Sequence, residues 1–79
     1  MFRTIFEIRQ QATALAGIQR RTRRVEAWRA AAGVVWTRWE AFLNAPRDTR
    51  ARAFASYLAA LDAEAAAAAE IADLPTLRA

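Results

Sequence analysis

The stretch from Asn44 to Thr49, NAPRDT, is the clearest interruption in a chain that otherwise consists largely of helix-forming residues. Alanine, which has the highest helix propensity, occurs 22 times in 79 residues, whereas glycine and proline occur twice each. Proline disfavours helix at the residue before it and is favoured at the first helical position. The sequence therefore predicts that one helix ends at Asn44 and that another begins at Pro46.

A turn this short between two helices predicts an antiparallel helical hairpin. The predicted fold class is all-α, because few residues other than helix formers remain to build a sheet. At this length the chain fits one small helical domain, 1–79. Its predicted parts are an amphipathic arm at 1–17, a helix at 18–44, a second helix at 46–73 and a tail at 74–79.

The apolar residues before the turn fall on one stripe when they are placed at 100° per residue. Several of them are also seven residues apart, which is typical of a coiled-coil-like seam. Because the tryptophans share this stripe, we expect core or interface positions for them and not a platform for stacking bases. The stripe consists of Val25, Trp28, Ala32, Val35, Trp36, Trp39, Phe42 and Leu43.

The second helix carries its large apolar residues mostly near the turn, at Phe54, Tyr57, Leu58 and Leu61, before an alanine tract. If the turn centres near Ala45, Trp36 comes level with Phe54, and Arg21 comes level with Ala69. The hairpin is therefore predicted to pack bulky residues together near the turn and small residues at the other end.

The N-terminal segment shows a broad apolar face with charged and polar residues opposite, which predicts an amphipathic helix. Gly17 either ends this helix or lies inside a longer one, so three-helix and extended two-helix arrangements both stay open. If the arm extends past the hairpin, its apolar face must be covered by another chain. The predicted interaction residues of the arm are Phe2, Ile5, Phe6, Ile8 and Leu15.

A cluster of four arginines, QRRTRR, lies between these segments, and the charge of the chain is unevenly distributed. Residues 1–52 carry a net charge of +7 and residues 53–79 a net charge of −3. The favoured interpretation is salt bridging to Glu64, Glu70 or Asp73, within the chain or between subunits. Contact with nucleic-acid phosphates is the first alternative, and contact with an anionic membrane surface or another acidic partner is the second. The residues concerned are Arg20, Arg21, Arg23 and Arg24.

The residue types that most often perform catalysis are missing, since the sequence contains no cysteine, histidine or lysine. We therefore expect no enzymatic activity, no catalytic residues, no metal site, no cofactor and no small-molecule substrate. Charged residues near the N-terminus interrupt any signal-peptide core, and no uncharged run is long enough to span a bilayer. The expected location is cytoplasmic, or within a particle assembled in the cytoplasm.

The leading functional hypothesis is a non-enzymatic structural or assembly module that acts through helix packing in a homo-oligomer or a larger complex. The main alternative is a small basic protein that binds nucleic acid through Arg20–Arg24. A membrane-surface adaptor or inhibitor is a less favoured third hypothesis. The abundance of alanine and arginine without lysine is typical of a GC-rich bacterial or phage genome.

Overall fold

Two helices joined by a six-residue loop account for the fold, as the computed structural model shows for residues 2–74, with side chains described from Thr4 onward. Helix α1 spans Phe2–Leu43 and helix α2 spans Arg50–Ala72. The two helices pack against each other as a helical hairpin. The predicted all-α class is therefore confirmed. Residues 75–79 of the predicted tail at 74–79 and the side chain of Phe2 lie outside the described residues.

Helix α1 ends at Leu43, and the next residue, Asn44, donates two hydrogen bonds to one carbonyl of the last helical turn. The Asn44 backbone N–H donates to the Glu40 carbonyl at 3.1 Å, and Asn44 Nδ2 donates to the same oxygen at 2.9 Å. The next residue precedes Pro46, which disfavours further helix. These contacts place the end of α1 within one residue of its predicted position.

Helix α2 begins at Arg50, four residues beyond the predicted start at Pro46. The Pro46 carbonyl accepts the backbone N–H of Thr49 at 3.1 Å, which closes a turn before the helix begins. Arg50 Nη2 also donates to the Ala45 carbonyl at 3.4 Å, so the first side chain of α2 bridges the loop. Pro46 therefore shapes the loop and is not the first residue of α2.

Helix α1 is continuous through Gly17, so the predicted segments 1–17 and 18–44 form one helix of 42 residues. Neither Gly17 nor Gly33 has a positive φ angle, so each adopts a backbone conformation that alanine could also adopt. At 1.5 Å per residue, α1 is about 63 Å long and α2 about 35 Å. The arrangement is the extended two-helix alternative, with the N-terminal part of α1 projecting past α2.

The hairpin is held near the turn by aromatic contacts between the helices. The Trp39 and Tyr57 rings lie 5.1 Å apart, and the Phe42 and Phe54 rings lie 5.3 Å apart, in the range where aromatic pairs attract. Trp39 therefore packs toward α2, as predicted. The predicted register is wrong, because these partners lie several residues further along α2 than a turn centred at Ala45 allows. The later start of α2 accounts for the shift.

The molecule is elongated, with dimensions of 71 × 16 × 15 Å and a radius of gyration of 19.8 Å. A compact chain of this length has a radius of gyration of about 12 Å. Its accessible surface is 6879 Å², whereas a compact monomer of the same mass exposes about 4,800 Å². Within residues 4–74, the only hydrophobic residue buried is Ala60. One copy of the hairpin therefore lacks a core of large side chains.

Replacing Gly17 by alanine tests the continuity of α1. Alanine stabilises a helix interior relative to glycine by about 0.5–1 kcal/mol, and the added Cβ would meet only Arg20 Nη2, at an ordinary 4.0 Å. We expect Gly17→Ala to raise the free energy of unfolding by that amount in chemical denaturation. Gly33→Ala is the matched control, because a Cβ there meets open space. A loss of stability in Gly17→Ala alone would show that the helix is broken at Gly17.

Candidate interaction surfaces

The N-terminal part of α1 has no covering helix beside it. Leu74, the last residue described after α2, lies against α1 in a groove that it forms with Gly17, Ile18 and Arg21. The helix N-terminal to this point, residues 2–16, is called the arm here. From Thr4 onward its large apolar side chains are more than half exposed: Ile5, Phe6, Ile8 and Leu15. Ile5, Ile8 and Leu15 share one side of α1 and are called the arm face. Phe6, predicted to lie on the same face, is about 200° around the helix from Ile8 and lines a groove with Gln10 and Thr13 instead.

A second group of exposed apolar side chains lies at the opposite end of the molecule, beside the turn. Trp36 and Leu43 of α1 are 65% and 59% exposed, more than Phe54 and Leu58 of α2, which are 42% and 45% exposed. These four residues are called the turn-end face. Trp36 was expected to lie level with Phe54 in the packed stripe, but its side chain lies largely in solvent.

The four residues of the turn-end face share one side of the hairpin. The other side carries a shallow groove whose lining includes Arg38 and Ala41 of α1 and Arg52 and Ser56 of α2. Along its own helix, each residue of the turn-end face is two positions away from one of these groove residues. Two positions correspond to a rotation of about 200° around the helix axis. The exposed apolar residues of both helices therefore point to the side opposite the groove.

The remaining predicted tryptophans belong to the hairpin contact. Trp28 and Trp39 are half-buried, and Trp39 also stacks on Phe42 of its own helix at 5.6 Å. The sequence stripe that contains all three tryptophans is therefore divided in the structure. Trp28 and Trp39 are half-buried in the hairpin, whereas Trp36 belongs to an exposed face.

The arginine cluster makes one contact across the hairpin. Arg24 is half-buried, and its Nη1 donates to the backbone carbonyl of Glu70 at 3.0 Å. The acceptor is the main-chain carbonyl of Glu70 and not its carboxylate, so this contact is not the salt bridge that was predicted for the pair. Arg20, Arg21 and Arg23 are exposed on α1. The cluster thus combines one arginine that joins the helices with three whose guanidinium groups are accessible to solvent.

The turn-end face includes three residues that the sequence analysis did not propose as interaction residues: Leu43, Phe54 and Leu58. Phe54 and Leu58 were expected to pack against the apolar stripe of the first helix. A usable signal was present in the sequence, because Leu43 follows Trp36 by seven residues, as Leu15 follows Ile8. That spacing marks a second stripe beside the one that faces α2.

Comparison of the chain with family models, with curated proteins and with solved structures finds no match. In the portion of the chain that the structure covers, neither helix is sufficiently long and apolar to cross a membrane. The two apolar faces and the arginine cluster are therefore the features from which a function can be inferred.

Replacing Trp39 by alanine tests the aromatic contact that closes the hairpin. The substitution removes a half-buried indole that touches Tyr57 and Phe42. We expect Trp39→Ala to lower the free energy of unfolding by about 2–4 kcal/mol, at or below the range for fully buried aromatic residues. Thr37→Ala is the control, since Thr37 is exposed two residues away. Equal stability of the two variants in urea denaturation would contradict the packing.

Arg24 and Arg23 are adjacent arginines with different environments, which allows a matched comparison. Arg24→Ala removes the hydrogen bond to the Glu70 carbonyl and is expected to lower the free energy of unfolding by about 0.5–1.5 kcal/mol. Arg23→Ala changes an exposed residue, so its effect should stay within about 0.5 kcal/mol. Thermal and urea unfolding measure both. If Arg23→Ala proves the more destabilising variant, the assigned contact is wrong.

Proposed function

We propose that the protein is a non-enzymatic assembly module that acts through helix–helix packing in a homo-oligomer or a larger complex. The observation that carries this proposal is the distribution of its apolar side chains. Large apolar residues are exposed at both ends of the hairpin, while the described chain buries only the small side chain of Ala60. Such exposed apolar faces are typical of protein-interaction sites.

The energetics of the isolated hairpin favour association. Burying a large apolar side chain completely is worth about 1.5–3 kcal/mol, and each end of the hairpin leaves several such side chains largely uncovered. Small domains without disulfides or metals depend on well-packed cores or on oligomerisation. The chain has no cysteine, so disulfides cannot supply the missing stability. Association through the exposed faces would supply it.

A non-enzymatic role agrees with the chemistry available in the sequence. Cysteine, histidine and lysine are absent, and Ser56 and Tyr57 are the only serine and the only tyrosine. Ser56 lines the shallow groove beside the turn, and Tyr57 packs against Trp39. Neither has a neighbouring histidine or lysine that could activate it as a nucleophile.

Binding to nucleic-acid phosphates is the second candidate function, and it is favoured by the exposure of Arg20, Arg21 and Arg23 on one segment of α1. Phosphate contacts release counterions, so such binding weakens steeply as salt is added. Apolar association persists at high salt. The two candidate functions therefore predict opposite responses to ionic strength.

Adding charge to the arm face tests the assembly function. We expect the full-length chain to have an oligomeric mass in light scattering that persists at high salt. The double variant Ile8→Glu, Leu15→Glu should have a lower mass, because both carboxylates would have to be buried in the contact. The matched control is Gln10→Glu, Thr13→Glu, which adds the same charge on the opposite side of α1.

A monomeric mass for the wild-type chain at high concentration, with helicity intact, would overturn homo-oligomeric assembly. The phosphate-binding function is tested by titrating the same samples with a DNA duplex and with single-stranded RNA at two salt concentrations. Salt-sensitive binding that Arg20→Ala, Arg21→Ala and Arg23→Ala abolish together would favour the phosphate-binding function.

A further inference from the structure

Four exposed large apolar residues of α1, two near each end, lie on a single seven-residue repeat. Its outer positions are apolar and largely exposed, whereas its two central positions are polar. A seven-residue repeat stays on one stripe when two helices wrap around each other with a left-handed twist. The pattern of apolar and polar residues along the stripe is the same from either end, with two apolar, two polar and two apolar positions: Ile8, Leu15, Thr22, Arg29, Trp36 and Leu43.

The two apolar ends of this stripe cannot meet within one chain. Ile8 and Trp36 are 28 residues apart in one continuous helix, a separation of about 42 Å. The arm also points away from the turn, and α1 contains no break at Gly17 that would allow it to fold back. Two apolar faces of the same molecule, held far apart by a straight helix, are suited to a partner that spans both.

We propose that the partner is a second copy of the same chain, lying antiparallel along this stripe. The inference rests on the proposed assembly function and specifies its partner and geometry. In this register Ile8 of each copy lies level with Leu43 of the other, and Leu15 lies level with Trp36. The polar Thr22 comes level with Arg29. Each arm therefore covers the turn-end face of the other copy.

The contribution of α2 to the turn-end face explains why the arm needs a broad apolar surface. Phe54 and Leu58 project to the same side as Trp36 and Leu43, so a helix lying there touches both α1 and α2. In the arm face, Ile5 lies about 60° around the helix from Ile8 and about 80° from Leu15, which makes this face wider than the seven-residue stripe alone. Each end of the dimer then becomes a three-helix bundle with one helix supplied by the partner.

The charges near the centre of this arrangement are compatible with two-fold symmetry. An antiparallel pairing in this register places the symmetry axis close to Glu26. Glu26 and Arg29 are both exposed on this side of α1, so each copy brings one carboxylate and one guanidinium group to the centre. The interface is isologous, and its central charges balance. Arg20, Arg21 and Arg24 lie on other parts of α1 and stay outside the contact.

Cysteine cross-linking tests the geometry in the full-length chain, because the natural sequence contains no cysteine to interfere. Glu26→Cys should form a covalent dimer alone, since the two copies of this residue lie beside the symmetry axis. Ala12→Cys and Glu40→Cys should each cross-link poorly alone but form a heterodimer when unfolded together, mixed and refolded. Ala27→Cys is the control, because this exposed neighbour of Glu26 lies off the stripe.

We expect Glu26→Cys to give a several-fold higher yield of covalent dimer than Ala27→Cys. The refolded mixture of Ala12→Cys and Glu40→Cys should likewise give a several-fold higher yield than either variant alone. Circular dichroism verifies that each variant stays helical. Efficient cross-linking of Ala12→Cys alone would indicate a parallel pair and overturn the inference. An oligomeric wild-type mass without the expected cross-links would overturn the geometry but leave the assembly function standing. A monomeric wild-type mass would overturn both.

Discussion

The difference in length between the two helices determines the rest of the structure. The loop lies beyond the middle of the chain, so α1 has 42 residues and α2 has 23. An antiparallel hairpin built from unequal helices must leave part of the longer one uncovered. Because α1 continues without a break, that uncovered part is a straight arm and not a third helix folded against the others. The exposed arm face follows directly from the position of the turn.

The alanine content of α2 is the second determinant. Alanine favours helix and allows the helices to approach closely, but it contributes little apolar area to a core. The large contacts are therefore confined to the aromatic cluster near the turn, where Trp39 meets Tyr57 and Phe42 meets Phe54. Towards the end of α2, small side chains leave room for Arg24 to reach the main chain at Glu70. A hairpin with this composition is thin, and several of its large apolar residues are exposed to solvent.

The class of fold was predictable from particular residues, whereas the register was not. The alanine content and the NAPRDT stretch predict two antiparallel helices with a boundary at Asn44. The start of α2 depends on a backbone hydrogen bond within the loop. The Pro46 carbonyl accepts the Thr49 N–H in a turn, and α2 begins only after it, at Arg50. A four-residue change at the start of a helix changes every facing pair in a hairpin. Sequence periodicity alone does not contain that information.

The candidate surfaces were predictable to the extent that they depend on α1 alone. The arm residues Ile5, Phe6, Ile8 and Leu15 were identified from one amphipathic pattern, because no other element lies beside them. Trp36 was grouped with the packed tryptophans, since a stripe seen on one helix does not show which of its edges faces the second helix. Leu43, Phe54 and Leu58 form a common face only when the positions of both helices are known. The exposed apolar face beside the turn is therefore a property of the hairpin and not of either helix.

We propose that the stable structure of this chain depends on association, because Ala60 is the only buried hydrophobic residue within residues 4–74. The most direct measurement is the thermal unfolding midpoint, followed by circular dichroism over a wide range of chain concentrations. If folding is coupled to association, mass action stabilises the native state as concentration rises. The midpoint should then increase steadily with concentration. A cooperative unfolding transition whose midpoint is independent of concentration would contradict the claim, because the hairpin would then be stable as a monomer.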